Sequence, residues 1–364
     1  MKKIILIIIV LLLALSIFVY IKEEKQDNHV QKLLPPEKGV YISAFPDFNN
    51  SEDNVTAEKV IDFEKIVNKP IVWAPLSDNW GKSNITFPEN SVKILHEQNV
   101  IPYIRMMPRN DIDASYESTS ADPVFSLKRI VNGDFDDKLK KWAIDAKNSN
   151  TPLIIDFAPE MNGDWFPWSG KYNGKDTKDK YGDPNLADGP EIYRDAYRHI
   201  IDIFNEEGAT NVTWVFHVNS DSFPAESWNN YSAYYPGDEY IDWIGVSSYG
   251  AITPDEDWEN FTDIMDKSYP ELESVSKTKP LAVLEFGVME RNDGQKAVWI
   301  HDALQSIENG RYPRIKAISY WHESWVNSDE SISNLRLDSS KEALETYKKD
   351  IESPFFVSKA NFTN

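Results

Sequence analysis

Glu160 and Glu285 have the sequence surroundings best suited to acid–base or nucleophilic chemistry. Glu160 stands in Ala158-Pro159-Glu160-Met161-Asn162-Gly163-Asp164-Trp165-Phe166-Pro167-Trp168, directly after the apolar run Leu153–Phe157. A lone glutamate in a turn is ordinarily a solvated surface acid. Loops are polar, however, and two tryptophans beside a carboxylate read as a platform for the apolar face of a sugar. Glu285 closes Leu281-Ala282-Val283-Leu284-Glu285-Phe286-Gly287. A charge at the end of an apolar strand needs a partner, so it reads as a structural ion pair or as an acid facing a cavity. Such a pair could cleave a glycosidic bond, which takes one carboxyl to protonate the leaving oxygen and a second to attack the anomeric carbon or activate water.

To meet, these two acids must stand at strand ends that the fold brings to one face. Short apolar runs recur at Gly39–Ala44, Ile71–Ala74, Ile101–Met106, Leu153–Phe157, Val212–His217, Ile241–Ser247, Leu281–Glu285 and Ala317–Trp321. Continuous apolar runs suit parallel strands buried on both faces. Helical patterns lie between them at Ala57–Val67, Ser91–Gln98, Asp136–Lys147, Pro190–Glu207, Phe261–Ser276 and Gln295–Glu308. The alternation predicts a single α/β domain, a (β/α)8 TIM barrel. An open doubly wound sheet fits less well, since no Gly-rich phosphate loop follows the first strand. Barrel sites gather at the C-terminal strand ends. This makes Trp73, Arg105, His217, Tyr249 and Trp321 candidate substrate contacts, together with Asn162, Trp165 and Trp168 of the Glu160 loop. His217 and His322 are not spaced as metal ligands, so no metal and no cofactor is expected. The acidic stretch Asp176–Asp188 reads as a solvated loop before a calcium loop.

The 38 basic and 59 acidic residues leave a net charge of −21, which disfavours nucleic acid as a partner and favours a neutral substrate. There is no cysteine, which excludes disulfides, thiolate chemistry and a lipid-modified N-terminal Cys. Twelve Trp, 17 Tyr and 17 Phe exceed what a core requires and suit sugar contact. After Met1-Lys2-Lys3, the apolar run Ile4–Ile21 is broken only by Ser16 and Tyr20. As a helix it would span roughly 27 Å, close to a bilayer core. Residues 1–21 therefore read as an uncleaved signal anchor that places the remainder outside the cell; secretion after signal cleavage is the alternative. Residues 22–38 read as a polar stalk, 39–352 as the barrel and 353–364 as a C-terminal tail, in a monomer tied to the membrane by its N-terminal helix.

The Glu160-Met161-Asn162-Gly163 sequence, followed by Trp165 and Trp168, resembles the acid/base motif of glycoside hydrolase family 26, the β-mannanase family. The segment from Tyr235-Pro236-Gly237-Asp238 to Asp242-Trp243-Ile244-Gly245-Val246, and Glu285-Phe286-Gly287, resemble that family in the same order. Gly133-Asp134-Phe135-Asp136 and Ile101-Pro102-Tyr103 add weaker matches. The resemblance covers roughly residues 38 to 350. It implies a retaining endo-β-glycanase of β-mannan-type polysaccharide, with Glu160 as acid/base and Glu285 as nucleophile, about 5–5.5 Å apart. It also implies that Trp321 lies under the reacting sugar. The chain departs from the pattern at three positions that shape the sugar subsite. Pro159 replaces a histidine, Asp156 an arginine, and Ser247 the aspartate of a Gly-x-Asp-x-Tyr stretch that keeps Tyr249. Mixed-linkage β-glucan, β-1,3-xylan or a self-made exopolysaccharide are alternative substrates, and a non-catalytic glycan-binding barrel is the alternative function.

Overall fold

The computed structural model describes residues 32–49, 51–110, 118–291, 294–327 and 329–363. The expected anchor at residues 1–21 lies outside them, as does most of the stalk. Among the described residues, no helix is long and apolar enough to cross a membrane.

Among the described residues, each of the eight barrel strands is followed by a helix. The strands are β1 (Val40–Phe45), β2 (Trp73–Asn79), β3 (Ile101–Met107), β4 (Leu153–Phe157), β5 (Val212–Asn219), β6 (Trp243–Tyr249), β7 (Leu281–Gly287) and β8 (Ile315–Trp321). Following them in turn are α1 (Ala57–Val67), α2 (Glu89–Glu97), α3 (Asp136–Asn148), α4 (Asp188–Glu207), the single turn α5 (Tyr231–Tyr234), α6 (Phe261–Val275), α7 (Gln295–Glu308) and α8 (Lys341–Ile351). Every strand pair from β2 through β8 and back to β1 is parallel. The sheet is curled, consistent with a (β/α)8 barrel, and β1 and β2 meet where the Val72 N–H donates to the Ile42 carbonyl at 2.9 Å.

That seam explains the largest departure from the sequence expectation. The second strand was expected to stop at Ala74, before Pro75, yet it continues to Asn79. The N–H groups of Trp73 and Ser77 point towards β1, to Ser43 Oγ and the Glu52 carbonyl. Pro75 has the same parity, so its missing N–H falls on the seam, where no regular ladder exists to lose a bond. Because the strand is longer, Trp73 lies at its start and not at the barrel mouth. It packs inside the barrel with Tyr41, Tyr103, Trp243, Leu284 and the small Ala282 and Ala317. Gly245 makes room for this layer: a Cβ there would lie 2.1 Å from Leu284 Cδ1.

The barrel floor holds a second departure. Lys32 to Leu34 were expected in the stalk and residues 353–364 in a C-terminal tail. Instead Leu33–Leu34 pairs antiparallel with Asn361–Phe362, and Phe356–Val357 adds a parallel pair to Val40–Tyr41. Leu33 is buried, donates its N–H to Thr213 Oγ1 and accepts from Trp243 Nε1 through its carbonyl. An apolar side chain set beneath an otherwise open barrel end removes that end from water, which holds both segments down.

Candidate active site

Both candidate acids stand at C-terminal strand ends and are almost fully buried, Glu160 at 7% exposure and Glu285 at 5%. After β4 the chain turns at Ala158 (φ 52°) and Glu160 (φ 56°), both left-handed and flanking Pro159. Such conformations cost non-glycine residues of order 1–3 kcal/mol each and persist only where neighbours enforce them. Here Ala158 N–H donates to Met106 of β3, and Glu160 N–H to the carbonyl of His217 on β5, each at 2.9 Å. Strands on both sides grip the turn. The Glu160 side chain accepts from Trp165 Nε1 at 2.8 Å.

Glu285 ends β7 among polar groups. Tyr249 of β6 donates its hydroxyl to Glu285 Oε2 at 2.8 Å. Arg105 Nε stands 3.5 Å from Oε1, an ion contact without hydrogen-bond alignment, so Oε1 has no hydrogen-bond partner. Burial raises the Glu285 pKa, and the nearby Glu160 raises it further. Arg105, His217 and the Tyr249 hydroxyl oppose this, and the net shift is upward. Arg105 also donates to Glu52 at 3.2 Å and lies 5.2 Å over the ring of Trp321. Trp321 stacks on Phe45 at 4.3 Å and donates to Glu323 at 2.9 Å. Burial, with Glu52 and Asp47 nearby, pushes the Glu323 carboxyl up to about 8, so it is protonated at neutral pH.

Arg105, Trp165, Tyr249 and Trp321 thus share the mouth with both glutamates. The other expected contacts stand elsewhere. Trp73 belongs to the barrel interior. The fully buried Asn162 is a staple between loops: Oδ1 accepts from Asn219 N–H, and Nδ2 donates to the carbonyls of Asn219 and Asp221 and to Ser222 Oγ. Trp168 is buried, stacks on Phe166 at 4.5 Å and donates to the Pro159 carbonyl at 2.7 Å. It props the turn instead of meeting a sugar. His217 has no exposed surface; its ring bonds to Asp156 and Ser247. His322 is also buried and accepts the Leu337 N–H at 2.9 Å, and burial pulls its pKa to about 3.

Sequence reasoning missed two acids of the site, Glu52 and Glu323. Glu323 carried a signal akin to that of Glu285, an acidic residue close to the end of an apolar strand. Glu52 lies in a loop with no local mark, and only the fold brings it to Arg105. In the acidic stretch, Asp188 is turned inward and accepts from Thr177 Oγ1 and Lys180 N–H. Among the described residues, no group of three His, Asp or Glu side chains could hold a metal ion.

Residues 110–330 match the family described as Glycosyl hydrolase family 26. Endoglucanase H of Acetivibrio thermocellus is 33% identical over 225 residues, 61% of this chain and 22% of that protein. Mannan endo-1,4-beta-mannosidase A and B of Caldalkalibacillus mannanilyticus is 24% identical over 189 residues, 52% of this chain and 31% of that protein. The chain thus spans less than a third of either relative's length. A Cellulomonas fimi endo-beta-1,4-mannanase double mutant superposes with a TM-score of 0.61 at 15% identity, covering 88% of this chain and 72% of that one. At that identity the likeness is one of fold.

Proposed function

The chain belongs to glycosyl hydrolase family 26 and is a glycoside hydrolase; from that premise we propose a retaining endo-β-glycanase with Glu285 as nucleophile and Glu160 as acid/base. One observation carries the proposal. Two buried carboxyls stand at the ends of β4 and β7, close enough for Glu160 to raise the pKa of Glu285, and their hydrogen-bond environments differ. Glu285 Oε1 is free of hydrogen bonds and attacks the anomeric carbon, while Tyr249 holds Oε2 and Arg105 stabilises the carboxylate. Glu160 protonates the departing glycosidic oxygen as that bond breaks. In the second half Glu160, now a carboxylate, takes a proton from water whose oxygen attacks the same carbon. The ester to Glu285 breaks, and two inversions give net retention. Trp165 faces the leaving-group side beside Glu160, and Trp321 lies beneath the reacting sugar.

β-Mannan is the first substrate, on the names of the mannosidase relative and the C. fimi neighbour. A second reading, β-glucan, is favoured by a specific observation. Asp156 and Ser247 are sealed around His217, so the sugar subsite lacks the arginine and aspartate of the resemblance, and the 33% relative bears an endoglucanase's name. The test is reducing-end release by the purified protein and Glu285→Ala on β-mannans, β-glucans and β-xylans. Release from one polymer, of β-anomeric products, lost in the variant, is the expected result and names the substrate. Turnover retained by Glu285→Ala removes Glu285 as nucleophile.

A further inference from the structure

The reaction above leaves a buried set of polar groups beside the two glutamates unused. His217 of β5 lies between Asp156 of β4 and Ser247 of β6, with Nδ1 2.7 Å from Asp156 Oδ2 and Nε2 2.8 Å from Ser247 Oγ. None of the three has any exposed surface. Tyr103 of β3 donates its hydroxyl to the same Asp156 oxygen at 3.0 Å. Two donors therefore converge on one carboxylate oxygen, and Nδ1 carries a proton. The order Asp–His–Ser has the form of an acyl-transfer triad, but no substrate carbonyl can reach a sealed serine. Its connections point to a different use. The His217 carbonyl accepts the N–H of Glu160, and Ser247 is the register partner of Glu285 at an irregularity between β6 and β7. The row spans three strands and touches the backbone setting of both acids.

Two departures that look unrelated in sequence, Asp156 and Ser247, are thus the two ends of one hydrogen-bonded row. We propose that Asp156, His217 and Ser247 are positioning residues: Asp156 holds His217 as a buried imidazolium, which fixes the two catalytic glutamates and keeps Glu285 ionised. The inference rests on the reading of Glu160 and Glu285 given above. The groups facing His217 are Asp156 and Glu160 from β4 and its turn, Tyr103 from β3, Ser247 from β6 and Glu285 from β7. Burial opposes the charge, but the hydrogen-bonded Asp156 carboxylate, aided by the nearby Glu285 and Glu160 side chains, outweighs it and raises the imidazole pKa. Glu285 in turn faces Arg105, Glu160, His217 and Tyr249. Without the imidazolium, Arg105 is the one cation left in that set, and Glu285 takes up its proton at a higher pH.

The test follows kcat and KM against pH for the full chain, His217→Gln and Ser247→Ala on the polymer that the wild type hydrolyses. Nitrogen-15 spectra of the wild-type histidines accompany it. For His217→Gln, kcat should fall roughly ten- to a hundredfold with KM little changed. The acidic limb of kcat/KM should move up by about half a pH unit or more. Ser247→Ala should move the limb in the same direction by less. In the wild-type spectra, His217 should keep both ring nitrogens protonated above pH 6.5, the ordinary histidine value. Folded variants with the wild-type limb, or a neutral His217 ring at pH 6, overturn the proposal. A His217→Gln chain that fails to fold leaves Ser247→Ala and the spectra to decide. A wild type that hydrolyses no polymer defeats the catalytic reading, while the histidine spectra still decide the charge.

Discussion

At the scale of the residue, the two glutamates differ in the group each accepts from, Trp165 for Glu160 and Tyr249 for Glu285, and the difference is testable. Glu160→Ala should slow cleavage of an unactivated polymer by about 10²–10⁴-fold, the usual worth of a general acid. Aryl glycosides with good leaving groups should lose much less, because their departing oxygen needs no proton. Equal loss on both would argue against the acid role. Glu323 gives a second case, read through stability. Its carboxyl ionises at about 8 in the folded chain and near 4.5 when free. The folded state therefore binds the extra proton between those values. That contribution is full below about 4.5 and is lost as pH rises to about 8. Glu323→Gln keeps an acceptor for Trp321 Nε1 but has no proton to lose. Its stability relative to wild type should grow across that window, by on the order of a few kcal/mol. Denaturant midpoints at pH 5 and pH 8 measure it; a difference independent of pH would refute the shift.

Among the elements, most of the barrel was legible because its strands are short, continuous apolar runs. β4, α1 and α7 carry the expected bounds, and most others differ by only a few residues. β2 was misread because proline normally ends a strand, and only the seam tells where a missing N–H does no harm. That error placed Trp73 at the mouth. α8 was passed over because its buried stripe is thin: Ala343, Tyr347 and Ile351, with charges between. The site was half legible. Glu160, Glu285, Arg105, Trp165, Tyr249 and Trp321 follow from the rule that strand ends face the mouth. Asn162, Trp168 and His217 obey the same rule in position, yet their side chains turn inward to neighbouring loops and strands, which no local pattern encodes. Asn162→Ala tests this difference. It strips the β4 and β5 loops of their shared staple and strands buried backbone groups, so it should cost about 1–3 kcal/mol in thermal or denaturant unfolding. A change in KM with no loss of stability would instead return Asn162 to the substrate.

On the scale of the whole molecule, the floor contacts tie residues 32–34 into the folded domain. A chain starting at residue 32 should match the stability of the full protein, whereas one starting at residue 39 should melt several degrees lower. The second loses burial of Leu33, worth about 1.5–3 kcal/mol. It also loses the Lys32–Asp242 pair at 2.9 Å, part exposed and worth about 0–1 kcal/mol. Identical melting curves for the two would show that the floor strand adds nothing. The same stitch has a directional consequence. Residues 32–34 join the barrel beneath the starts of β5 and β6, and Glu160 and Glu285 stand at the other ends of the strands. A tether attached ahead of residue 32 would therefore enter the barrel from its floor, at the opposite end from the mouth, much as a stem joins a cup.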